Sequence, residues 1–230
     1  MENIGTELLQ LAEIVWINIV LSGDNAVVIA MACRGLPPDR RQTGMVLGAL
    51  VAVALRIAFT VVIETLLAVP FLKIVGGGLL VWIAVKLLSG GEDEGEVEAS
   101  PRLWEAVRTV AVADAVMSLD NVLAIAGVAK DSMLLVIVGL AISVPLIVVG
   151  ATLIMKLLAR FPILVWAGAG LLGWVAGGML LSDPFAAREL GAGVAEAAEM
   201  PASALCAAVV LGLGYLLRRR SAARPGRQVP

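Results

Sequence analysis

Two short segments carry the polar residues most able to do chemistry in this chain, INIVLSGDNAVVIA from Ile17 to Ala30 and ADAVMSLDNVLAIA from Ala113 to Ala126. A shift of 96 residues lays Asn18 on Asp114, Ser22 on Ser118, Asp24 on Asp120 and Asn25 on Asn121. The polar residues repeat together while the apolar ones drift. A carboxylate in the middle of an apolar helix in a bilayer is disfavoured by roughly 2.5–3.5 kcal/mol on insertion scales, so two equivalent ones point to an ion pathway. Residues i, i+4 and i+7 share a helix face. Asn18, Ser22 and Asn25 therefore form one stripe and Asp114, Ser118 and Asn121 its counterpart, with Asp24 and Asp120 each about 100° around from the adjacent Asn. The competing reading of Ser22, Ser118 and Asn18 is interhelical hydrogen-bond glue.

Carboxylate, amide and hydroxyl oxygens are hard donors suited to Mg, Ca or Mn, whereas Zn and Cu sites usually recruit imidazole or thiolate. The chain has no His. Two aspartates nearly neutralise one divalent ion and so reduce its desolvation penalty. Oxygen donors alone do not separate Mn from Ca or Mg. Two further charges, Arg56 and Glu64, lie in the next apolar run, about 12 Å and 80° apart on a helix, so each needs a partner elsewhere. Arg56 is expected to act as counter-ion to Asp24 or Asp120 when the site is empty. Glu64 is a candidate coupling-proton carrier or peripheral ligand, against plain solvent exposure at its helix end.

The elements that must position these residues are membrane helices. The chain is 60% hydrophobic, its mean hydropathy is +0.97, and its charges cluster between long apolar runs, as in polytopic helical proteins. Nothing alternates with period two, so a barrel is excluded and the fold is all-α. Seven spans are expected, at 8–33, 43–67, 69–88, 105–129, 132–157, 162–182 and 201–217. Arg34, Arg40, Arg41, Lys86, Arg102, Arg108, Lys156, Arg160 and the C-terminal arginines fall on one side, against Lys73, Lys130 and Arg188 on the other. The positive-inside rule then puts the N-terminus outside and the C-terminus in the cytoplasm. The first run lacks a basic flank and carries Glu13 and Asp24, which argues against a cleavable signal.

Pro70, Gly76, Gly78 and Trp82 recur as Pro162, Gly168, Gly170 and Trp174 at a spacing of 92. Spans 1–3 thus match spans 4–6, and three crossings per copy require an inverted 3+3 repeat, the arrangement that places transporter sites near the midplane. The expected organisation is a first three-helix repeat (1–88), an acidic cytoplasmic linker (89–103), a second repeat (104–182), and an outer segment, seventh helix and basic tail (183–230). Asp183-Pro184 reads as an N-cap and N1 pair opening a short outer helix toward Met200. The linker lacks the spacing of an EF-hand loop. Cys33 and Cys206 fit no disulfide or metal framework and read as packing residues. A formal charge of −2 gives no reason to expect nucleic acid. The lipid bilayer is the expected partner, and oligomeric state stays open, a homodimer included.

In WINIVLSGDNAVVIAMACRGLPP, LWEAVRTVAVADAVMSLDNVLAIAGVA and PFLKIVGGGLLVWIAVKLL the chain resembles the TerC family of integral membrane proteins, within the LysE-type superfamily, and especially its short YjbE-like branch. The resemblance covers residues 10–182. It implies manganese efflux or metal homeostasis at the bacterial plasma membrane, with the Asp-Asn pairs in the ion path, no cofactor, and Mn2+ as substrate. Some relatives are linked to tellurite resistance or to supplying metal to exported enzymes. Gly23 stands where the second copy has Leu119, so an unwound helix at the motif is expected only in the first half. A calcium or proton-coupled exchanger, or a membrane assembly partner, are the competing functions. No nucleophile elbow or phosphate loop suggests an enzyme.

Overall fold

The computed structural model describes residues 11–12, 15–16, 23–67, 69–89, 99–129 and 133–222, with the side chains of 61, 63–67, 99–101, 119–129, 133–136, 192 and 221–222 left outside that description. Among these residues the only regular secondary structure is helix, joined by short turns. The elements are α1 (Gly23–Arg34), α2 (Pro38–Leu67), α3 (Leu72–Ser89), α4 (Ala99–Ala129), α5 (Met133–Arg160), α6 (Ile163–Leu181), α7 (Pro184–Leu190) and α8 (Ala192–Ala222). Among the described residues, five stretches are long and apolar enough to cross a bilayer: Pro38–Thr60, Leu72–Ser89, Ile137–Arg160, Ile163–Leu181 and Gly193–Arg220. They coincide with the second, third, fifth, sixth and seventh expected spans.

Helix ends follow local chemistry. Pro38 opens α2 at a position where its missing N–H has no intrahelical partner to lose, and the Pro37 carbonyl accepts from the N–H groups of Arg40 and Arg41. Arg34 lies in the last turn of α1, at the pole of the helix dipole that favours its charge. Pro145 interrupts α5, where Ser143 Oγ donates to the Gly139 carbonyl at 2.9 Å. Along α5, Ile142, Leu146, Val149, Leu153 and Leu157 are all exposed. Their spacing of three and four residues makes one continuous apolar stripe on the outside of the bundle, which suits a lipid-facing helix and would be costly in water.

The expected short outer helix is realised only in part. Asp183 caps α7 as foreseen, its Oδ1 accepting from the Phe185 N–H at 2.8 Å, but α7 stops at Gly191, whose φ of 82° suits a glycine. Residues 192–200 instead form the first turns of α8, which continues through Pro201 to Ala222. The preceding nine residues are mostly Ala and Glu, strong helix formers, and the one hydrogen bond Pro201 forgoes does not break the run.

Packing divides the bundle into two sets. α1, α2, α4 and α5 pack on one another, chiefly α2 on α4 and α5 on α1; α3, α6 and α8 form the second set, chiefly α6 on α8 and α3 on α6. Lighter contacts of α3 with α4 and of α6 with α1 join the sets. Gly76 of α3 meets Val116 of α4, and Gly168 of α6 meets Val27 and Met31 of α1; a methyl group at Gly76 would stand 2.8 Å from Val116 Cγ1. Asp183 ties the start of α3 to the start of α7. It is fully buried, its Oδ1 also accepts from the Phe71 N–H, and its Oδ2 accepts from the N–H groups of Lys73 and Ile74. One carboxylate thus caps both α7 and α3. Phe71 adopts φ 66° at this junction, and its ring lies 4.3 Å from that of Phe185. Burial raises the Asp183 pKa, but the N–H groups of Phe185, Phe71, Ile74 and Lys73 outweigh it and hold the carboxyl below its ordinary value.

Candidate buried charge site

Arg56, on the second half of α2, is 1% exposed. Its Nη2 lies 2.7 Å from Asp114 Oδ1 on α4, and its Nε donates to Ser118 Oγ at 3.1 Å. Ser118 is one turn beyond Asp114 on the same helix, and its hydroxyl donates to Asp114 Oδ2 at 3.0 Å. Both carboxylate oxygens of Asp114 are therefore occupied from within the protein. Asp24, partly buried at the start of α1, accepts the Asn25 N–H on Oδ1 at 2.8 Å and lies within Coulombic range of both Arg56 and Asp114. With both carboxylates ionised, these three groups sum to −1.

Asn25, Val28 and Ile29 of α1 and Val110 and Asp114 of α4 line one crevice that is too tight to admit a water molecule. The first helix of each expected half contributes to its walls. Asn25, Asp114, Ser118 and Arg56 are each at most 3% exposed. The cluster is a packed polar core rather than an open vestibule.

Arg56 was expected opposite Asp24 or Asp120; it pairs with Asp114 and lies within electrostatic reach of Asp24, while the Asp120 side chain is outside the described residues. The reason is register. α2 packs lengthwise on α4, which brings the middle of α2 to the turn holding Asp114 and Ser118. The α4 backbone is helical through Asp120 and Asn121, as expected for the copy with Leu119, but the side chains of those two residues lie outside the described set, as does that of Glu64. Asn18 and Ser22 are likewise outside it, and α1 is described from Gly23 onward. Among the described residues no group of three or more His, Cys, Asp or Glu side chains is arranged to hold a metal ion. Asp183 was anticipated in one of its roles only, because Asp-Pro signals the α7 cap and nothing local signals its reach to α3.

The sequence model of the integral membrane protein TerC family matches residues 4–222. The chain belongs to that family. It is 45% identical over 176 residues to the Bacillus subtilis (strain 168) protein described as uncharacterized membrane protein YjbE, covering 76% of this chain and 81% of that one. It is 28% identical over 131 residues to YceF of the same organism, covering 53% and 51%, and 26% identical over 176 residues to YkoY, covering 68% and 54%. Both are likewise described as uncharacterized membrane proteins, and this chain spans about half of each. No solved structure matches. This TerC-family chain is thus a multi-pass helical membrane protein whose two Asp-Asn helices meet around a buried ionic cluster.

Proposed function

We propose that the protein is a secondary transporter that exports divalent cations, Mn2+ foremost, across the bacterial plasma membrane by alternating access. The observation that carries the reading is the meeting of the two motif helices: Asn25 and Asp114 wall one crevice, with Asp24 in electrostatic reach. Asp24, Asn25, Asp120 and Asn121 are the proposed ligands, supported by Asn18, Ser22, Asp114 and Ser118. An all-oxygen set suits Mn2+ better than Zn2+ or Cu2+. Arg56 is the internal cation that neutralises Asp114 while no metal is bound, and the arriving ion takes over that charge role.

Reciprocal packing supports the inverted repeat. If α1–α3 and α4–α6 exchange places, the pair α2–α4 becomes α5–α1, and both are principal contacts within their set; the pair α3–α4 becomes α6–α1, and both are lighter joints. In the proposed topology the N-terminus is outside and the basic C-terminus cytoplasmic. The test is manganese flux into proteoliposomes holding the purified chain. Asp24→Asn and Asp120→Asn each remove one formal charge at nearly constant shape and are expected to reduce flux at least about tenfold, the scale of a lost charged interaction. Near-normal flux in both variants at wild-type abundance refutes the ion-site reading. Calcium moving in place of manganese would keep the site and change the substrate.

A further inference from the structure

The seam between α2 and α4 does not need an ion pair to hold it. Gly48 of α2 lies over Val110 of α4, where an added methyl group would stand 3.2 Å from Cγ1, and one on Gly44 would stand 3.3 Å from Leu103 Cδ1. Helices already in such close contact gain little from a buried pair of charges. Removing both charges from water offsets most of their attraction, and an apolar pair of similar volume often stabilises as well or better. Yet Arg56 is the largest fully buried side chain among the described residues, and it is set into this seam.

What the pair supplies is charge at a chosen place. The guanidinium serves both oxygens of Asp114, one directly from Nη2 and the other through the Ser118 hydroxyl. Asp114 walls the crevice it shares with Asn25, and Asp24 feels the same guanidinium. One cation therefore faces carboxylates of both motif helices. It is carried by α2, which contributes none of the four Asp-Asn residues, so it can be repositioned without moving them.

Alternating access gives such a cation a task. A carrier passes through a closed form twice in each cycle, once with its cargo and once without. A divalent ion neutralises the carboxylates on the first passage. On the second they would be buried as bare charges, and a carrier that cannot tolerate this returns only with another ion aboard. We propose that Arg56 fixes the mode of transport: on the return passage it stands in for the metal beside Asp114, so the protein performs net export and needs no counter-transported ion. The proposal rests on the transporter reading above and leaves its ligands unchanged.

The experiment compares two rates in proteoliposomes that hold the full-length chain and are loaded with Mn2+, with the membrane potential clamped by potassium and valinomycin and a pH dye trapped inside. One is net efflux into medium free of divalent cations and sodium; the other is exchange of radiolabelled manganese against manganese outside. The wild type is expected to do both at comparable rates while the dye stays level. Arg56→Gln should keep exchange, in which the site crosses loaded both ways, and lose net efflux by at least about tenfold, the scale of a buried charge left without its partner. Arg56→Lys keeps the charge without the guanidinium fork and should retain both modes. Exchange without net efflux in the wild type, or acidification inside in step with manganese exit, overturns the proposal and leaves the transporter reading standing. Movement in neither mode overturns both. Equal loss of the two modes in Arg56→Gln that elutes like the wild type also overturns the proposal, as does net efflux lost from Arg56→Lys while exchange persists. Should Arg56→Gln not fold, the wild-type and Arg56→Lys measurements still decide.

Discussion

Asp114 and Asp183 are both buried carboxylates, 2% and 0% exposed, yet they are stabilised by opposite means. Asp114 is held by side chains, the Arg56 guanidinium and the Ser118 hydroxyl. Asp183 is held by four backbone N–H groups at the starts of α3 and α7. Backbone donors at a helix start are fixed in place and have no other acceptor waiting, whereas a guanidinium on a long side chain can be drawn off by another anion or replaced by another cation. The first arrangement suits a partner that exchanges. The second suits a joint.

The comparison is broken most severely at Arg56. Arg56→Met leaves Asp114 buried without its counter-ion and is expected to destabilise the fold by about 3–5 kcal/mol, while adding Asp114→Leu should return most of that loss. Denaturant unfolding in detergent reads both, and manganese flux separates the roles: the double variant should be folded and inactive. If it transports normally, the pair only holds α2 to α4.

Asp183→Ala removes two helix caps at once. At about 0.5–2 kcal/mol for each cap, the expected loss is roughly 1–4 kcal/mol, with flux per folded molecule within about twofold of wild type, less than the ~1.4 kcal/mol that a tenfold change represents. A flux collapse in well-folded Asp183→Ala would move this residue out of the structural class.

Acid gives a finer test of the same residue. Because the folded pKa of Asp183 is depressed, its contribution is whole above the ordinary aspartate value near ~3.9 and is lost as pH falls through the lowered folded value. The difference in thermal midpoint between wild type and Asp183→Asn should stay level from pH 7 to about 4 and close below that. A difference that already closes near pH 6 contradicts the backbone-held picture.

The smallest effect belongs to an exposed charge pair. Lys86 and Glu105 meet at 2.5 Å but are 38% and 58% exposed. Lys86→Gln is expected to cost less than about 1 kcal/mol and to lose even that in high salt.

Sequence periodicity and composition were sufficient for the helical class, for the approximate positions of the five apolar spans and for the α7 cap, because each depends on residues within a few turns of one another. The Asp183 bonds to Phe71, Lys73 and Ile74 bridge about 110 residues, and nothing within one helix encodes them. Arg56 was legible as a buried charge in need of a partner. That Asp114 is an ion-pair partner depends on the sliding register of α2 along α4, which apolar surfaces of similar residues leave open. The seventh span was expected from residue 201, whereas α8 begins at Ala192, where the helical preference of the residues before Pro201 prevails.

The closeness of α6 to α8 has a mechanical meaning. A methyl group on Gly173 would sit 2.8 Å from the Ala207 Cα, and one on Gly177 would collide with the backbone of Ser203. Main chain rests on main chain there, with no flexible side chains between to act as bearings. α8 is therefore a splint on α6, and the two are carried as one body by any motion of the bundle.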